Sequence, residues 1–215
     1  ETLGQPYVLR RARALEKVLG RMAICIDDDQ LLAGSFAGTP RGCQVFPEYD
    51  MQFVVDELDT FADRTADRFV VSQESKRELR EIHRVWKCNA LADAALELFP
   101  TDAGESATDL IFLLTAIRSG VGHVIVDYGR AVGEGLHAAV HRAEALRDAM
   151  DPNEPDFADR RAYYRAVVIV CRAVVAFAGR FADLAESLAA SETNPGRRTE
   201  LLEIAAICRK VPGEP

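Results

Sequence analysis

Apolar residues recur at helical spacing from the start of the chain. In VLRRARALEKVLGRM, Val8, Ala12, Leu15 and Leu19 are separated by arginine, lysine and glutamate, which predicts an amphipathic helix ending near Gly20. The pattern then changes. AICI and QLLAGSF read as two short strands on either side of the acidic turn Asp27-Asp28-Asp29, predicting one small β hairpin. AGTPRGCQVFPEYD, with two glycines and two prolines, reads as a structured loop.

Helical periodicity dominates from Met51 onward. MQFVVDELDTFADR puts Phe53, Val54, Leu58 and Phe61 on one face. SQESKRELREIHRVWK opens with Ser72 and Ser75, and Ser75 with Glu78 matches the S-x-x-E capping box. Its apolar side carries Leu79, Ile82, Val85 and Trp86. ALADAALELF reads as helix up to Pro100. TDAGESATD is a polar break in which Thr108 or Asp109 can cap the next element. That element, DLIFLLTAI, is apolar on all sides and should be buried.

Beyond SGVGH, the stretch VDYGRAVGEGLHAAVHRAEALRDAM predicts one helix with Gly129, Gly133 and Gly135 in its first half. A glycine inside a helix costs roughly 1 kcal/mol relative to alanine. That cost makes sense where another backbone or a ligand must come close. DPNEPD breaks the pattern. FADRRAYYRAVVIVCRAVVAFAGRFADLAESLAAS, 35 residues, then spreads Tyr164, Val167, Val168, Cys171, Val174, Val175, Phe181, Leu184 and Leu188 over more than one face. Its middle should therefore be surrounded by protein. ETNPGRR reads as a turn and TELLEIAAICRKV as a last helix ended by Pro212. The fold class is mainly α with one small β element.

Composition narrows the partners. A chain of 215 residues that is 48% hydrophobic can bury one good core or two small ones. A net charge of −8 argues against a nucleic-acid partner, since phosphate neutralisation needs a basic face. No window approaches the roughly 18 apolar residues of a membrane span. No secretory signal pattern stands at the start, which is Glu1 rather than Met, so a processed form or an excised piece stays open. The five cysteines are odd in number and irregularly spaced, which suggests neither a disulfide framework nor a zinc or iron–sulfur site. A reducing cytoplasm fits best, with Cys171 a buried apolar side chain.

A collinear series of segments resembles the early part of the pyruvate formate-lyase domain of glycyl radical enzymes. RRARALEKVLGRMAICIDDDQLLAGSFAGTPRGCQVFPEYD and VVDELDTFADRTADRFVVSQESKRELREI give its order: a basic helix, "I-D-x-x-x-L-L-A-G", "PRG-x-x-VFPEY", then a "DEL-D-T" helix. SGVGHVIVDYGRAVGEGL looks like its glycine–histidine segment. YYRAVVIVCRAVVAFAGRFADLAESLA with NPGRRTELLEIAAICRKVP looks like its long helix and arginine-rich turn. The resemblance covers nearly all of residues 1–215 as a single unit, incomplete relative to the family, and looks closer to the lyase and dehydratase branch than to pyruvate formate-lyase itself.

The resemblance implies the helical N-terminal portion of an α/β barrel, forming one wall of a substrate cavity in a homodimeric cytoplasmic enzyme of anaerobic metabolism. It implies a lyase or dehydratase acting on a small polar substrate. No organic cofactor is expected on this chain; a separate iron–sulfur activase using S-adenosylmethionine would install the radical on a C-terminal glycine. The family's thiyl cysteine usually lies in a C-x-E triplet, which none of Cys25, Cys43, Cys88, Cys171 and Cys208 matches. The glycine-loop pattern R-V-x-G-[FWY] is also missing. By itself this chain is expected not to run the radical reaction, and no catalytic or metal-binding residue is assigned to it. A rival expectation is a truncated paralogue acting as a non-catalytic helical module that binds a partner protein.

Two residues are candidates for substrate binding. His123 lies among glycines and small apolar residues, and in diol-dehydrating members a histidine of a similar segment reaches the substrate hydroxyl. Helix capping or a bond to a neighbouring carbonyl is the other account of it. Thr115, eight residues earlier, can add a hydroxyl to the same pocket, although a bond back to its own helix explains it more simply. Asp127 is expected to cap the following helix. Arg41, in Pro40-Arg41-Gly42 near Pro47-Glu48-Tyr49, either pairs with a carboxylate or stays solvated. Arg197 and Arg198 can line an anionic surface or form surface ion pairs. His83, His137 and His141 fall on helix surfaces, and the i, i+4 pair His137/His141 lacks a third metal ligand.

Overall fold

The longest periodic stretch forms one uninterrupted helix of the length its sequence predicts. In the computed structural model, residues 2–34, 37–39, 42–102 and 125–215 are described. They hold α1 (Tyr7–Arg21), α2 (Gln52–Glu57), α3 (Gln73–Trp86), α4 (Leu91–Leu96), α5 (Tyr128–Asp148), α6 (Phe157–Ser191) and α7 (Pro195–Lys210), with a 3-10 turn at Phe61–Asp63. The chain divides into two compact units: Glu1–Cys43 with Val126–Pro215, and Gln44–Ile125.

The first unit is built on α6. Near its start, Ala162 and Ala166 receive Leu9 and Ala12 of α1, with Val8, Ile169 and Val170 around them. Val168 meets Val140 and Ala143 of α5 beside Tyr164, Val167 and Cys171. Toward its end, Ala182 and Ala185 receive Ile204 and Ala205 of α7. Three helices therefore cover α6 along its length, as its all-round apolar pattern requires. Against α1 and α7 the buried residues of α6 are alanines, and such small side chains let helix axes approach. The larger residues Tyr164, Val167 and Leu184 pack at the margins, half-buried. Arg209 of α7 reaches Asp183 at 2.5 Å and Glu186 at 2.9 Å on α6. Such exposed pairs contribute at most about 1 kcal/mol.

The predicted hairpin is not formed: no described residue lies in a β-strand. Asp27 and Gln30 do make a turn, with the Gln30 N–H donating to the Asp27 carbonyl at 3.1 Å. The flanking backbone finds other partners. Arg180 of α6 donates to the Leu19 carbonyl and, at 2.7 Å, to that of Met22. Arg197 of α7 donates to the Asp27 carbonyl at 2.7 Å. Ile26 and Ala33 pack on the α6–α7 cluster. A lone two-stranded hairpin is marginal in water, and here the segment is anchored on α6 and α7 through its flanking and turn carbonyls instead.

Two helix starts differ from the sequence reading. Ser72, not Ser75, caps α3, its hydroxyl accepting from the Ser75 N–H at 3.0 Å. The helix α7 begins at Pro195, inside the predicted turn, because Asn194 caps it and accepts from the Gly196 N–H at 2.9 Å. Proline is well tolerated at that first position, where its missing N–H has no helical partner to lose.

The second unit gathers Met51, Val54, Leu58 and Phe61 with Val45, Val55, Phe69, Val71, Leu79 and Ile82. Phe53, expected on the same face, is 50% exposed. Its place in the core is taken by Met51, at the foot of α2. The VFPEY loop is structural: its Glu48 and Tyr49 carbonyls accept from the Leu91 and Ala92 N–H groups, each at 2.9 Å. They supply the cap that Ala90 has no side chain to give. No helix among the described residues is long and apolar enough to cross a membrane.

Candidate functional site

The helix α5 carries the three glycines that the sequence singles out. Asp127 caps it as expected, its Oδ1 accepting from the Arg130 N–H at 3.0 Å. The helix is broken at Gly135, where φ is 73° and ψ is 169°, a region essentially closed to side-chain-bearing residues. The Leu136 and His137 N–H groups lose helical partners at the break. They donate instead to the carbonyls of Pro212, at 2.9 Å, and Gly213, at 3.0 Å.

The close approach that the glycine surplus predicts is therefore present at one of the three glycines. A Cβ on Gly135 would collide with the Gly213 carbonyl oxygen and lie 2.9 Å from Glu214 Cα. Gly133 has open space around its Cβ position, and at Gly129 only Asp127 comes near, at 3.7 Å. A Cβ on Gly213 would in turn meet the His137 ring, with Nε2 at 2.6 Å. The neighbouring backbone thus comes from the end of this chain, and the local sequence pattern carries no sign of Gly213 as the partner.

His123 and Thr115, the two substrate-binding candidates, lie outside the described residues, as does Arg41. His137 and His141 are exposed on α5, and among the described residues no three His, Cys, Asp or Glu side chains converge as a metal site requires. His83 faces Gln52, ring nitrogen to Oε1 at 3.1 Å. Arg197 does not line an anionic surface. Its side chain is mostly buried, pairs with Glu200 at 3.0 Å and holds the Asp27 carbonyl. Burial pushes the Cys171 and Cys208 thiols up, which leaves them poor nucleophiles at neutral pH.

Known proteins share this outline. A family model described as pyruvate formate lyase-like matches residues 1–215. An isethionate sulfite-lyase of Oleidesulfovibrio alaskensis is 32% identical over 226 residues, covering 100% of this chain and 27% of the relative. A solved structure concerned with 1,2-propanediol dehydration in Roseburia inulinivorans superposes with a TM-score of 0.91 at 32% identity, covering 100% of this chain and 27% of that one. A glycyl radical enzyme from Archaeoglobus fulgidus superposes at 0.87 with 35% identity, covering 99% and 27%. The chain thus spans about a quarter of the length of the relatives it matches.

Proposed function

The chain belongs to the pyruvate formate lyase-like family, in which its relatives include glycyl radical dehydratases and lyases, and from that premise we propose that it is the N-terminal segment of such an enzyme. In this reading it forms one wall of the barrel around a small polar substrate. The observation that carries it is the fold match over the whole chain to a solved structure of diol dehydration. Isethionate and 1,2-propanediol, on which those relatives act, are the first substrates to try.

The chemistry of the radical belongs, in this reading, to residues outside positions 1–215. A glycyl radical, installed by an activase using S-adenosylmethionine, would supply the oxidising equivalent by way of a cysteine thiyl. None of this chain's five cysteines has the C-x-E context. This chain's part is to shape and orient. His123 is proposed to hydrogen-bond a substrate hydroxyl, with Thr115 adding a second polar group.

The test is His123→Ala in the complete enzyme. Loss of one hydrogen bond is worth roughly 0.5–1.5 kcal/mol when neutral and up to about 3 when charged. That corresponds to about a two- to hundredfold loss in kcat/KM. Radical content, read by paramagnetic resonance, should stay normal, because the activase acts at a distant glycine. A joint fall of melting temperature, radical and turnover would make His123 structural, and unchanged turnover would remove it from the site.

A further inference from the structure

The two halves of α5 have opposite surroundings. After the break, Val140 and Ala143 are buried against α6. Before it, every residue from Val126 to Glu134 is exposed, including Val126 at 47%, Tyr128 at 72% and Val132 at 74%. Among the described residues, none therefore buries the sides of the half-helix Tyr128–Glu134. Among the described residues, it is held to the rest of its unit at the joint at Gly135.

That joint is closed by main chain. Pro212 and Gly213 accept the two N–H groups freed by the break, and the absence of a Cβ at Gly135 lets the Gly213 carbonyl seat there. Glu134 braces the joint on its outer side, pairing with Arg142 at 2.5 Å in the second half and Arg130 at 3.8 Å in the first. That ionic brace is exposed and weak. The main-chain contact, held by geometry that only glycine tolerates, is what fixes the angle.

We propose that Gly135 is a positioning residue: by breaking α5 where the Pro212–Gly213 main chain docks, it sets the direction of the Tyr128–Glu134 half-helix, which we assign to the substrate wall, and with it the geometry of that wall. This rests on the proposed function, in which the chain forms such a wall. Misplacement of a supporting element by about 1 Å can cost up to about a hundredfold in rate even when the element is remote from the chemistry.

Gly135→Ala, made in the complete enzyme, tests it. The added methyl collides with the Gly213 carbonyl and also forces a conformation alanine does not adopt. Hydrogen exchange at the Leu136 and His137 amides should accelerate by about tenfold or more, while the amides of α6 keep their protection. KM should rise by about tenfold, with glycyl radical content unchanged. Gly213→Ala is the milder second lever, because the His137 ring it meets can swing aside. It should shift exchange and KM in the same direction by less. Faster exchange with unchanged KM, or a joint loss of melting temperature, radical and turnover in both variants, would overturn the proposal. A wild-type enzyme that forms no radical and turns over no substrate would overturn it together with the reading it rests on, and shows itself before any variant is compared.

Discussion

Asp59 lies between two cations of α3, with Lys76 at 2.8 Å and Arg80 at 2.9 Å. The hydrogen bond and charge of Lys76, helped by Arg80, hold its carboxyl below the usual aspartate range. A carboxylate depressed in the folded state contributes stability above its unfolded pKa, near 3.9, and loses it as pH falls through the lower folded value. Because Asp59 is exposed, the contribution is small; it is present above about pH 4, and its loss lies entirely on the acid side of that pH. Carboxyl titration by magnetic resonance should place Asp59 below an unperturbed aspartate, and Lys76→Met should raise its midpoint. A midpoint indifferent to Lys76 would contradict the pairing. Neither partner is legible in the sequence, since Asp59 and Lys76 belong to different elements. Asp127, by contrast, is legible, because a cap acts on its own helix within three residues.

At the scale of elements, periodicity carries the helices and misses what joins them. The limits of α6 follow from its apolar pattern, yet the residues it buries against α1 and α7 are alanines, which carry little weight in such a pattern. The predicted hairpin fails for a related reason. The backbone that flanks it is anchored from far along the chain, the carbonyls of Leu19 and Met22 by Arg180 and that of Asp27 by Arg197. Arg180 within AFAGRF is the one available signal: a lone cation in an apolar run needs polar partners. Arg180→Met keeps the packing and removes both bonds, and charge-assisted bonds are worth about 1.5–3 kcal/mol each. Denaturant unfolding of the variant should show a loss of about 2–3 kcal/mol, allowing for water reaching the freed carbonyls. A loss below about 0.5 kcal/mol would mean that the segment from Met22 to Asp27 is held by Ile26 and Ala33 instead.

For the whole molecule, family and helical architecture are legible from collinear motifs, while the site is legible only in part. The glycine surplus points to a close approach without naming its partner, and His123 and Thr115 rest on resemblance. The chain matches its relatives end to end while spanning about a quarter of their length, so the proposed activity has to be measured on the complete natural protein. The direct measurement is paramagnetic resonance on that protein, activated without oxygen by an iron–sulfur activase and S-adenosylmethionine, and then supplied with a small polar substrate. The expected result is the split signal of a backbone glycyl radical together with dehydration or lyase turnover. A protein that activates to no glycyl radical, and converts no substrate in the presence of a competent activase, would contradict the proposed function.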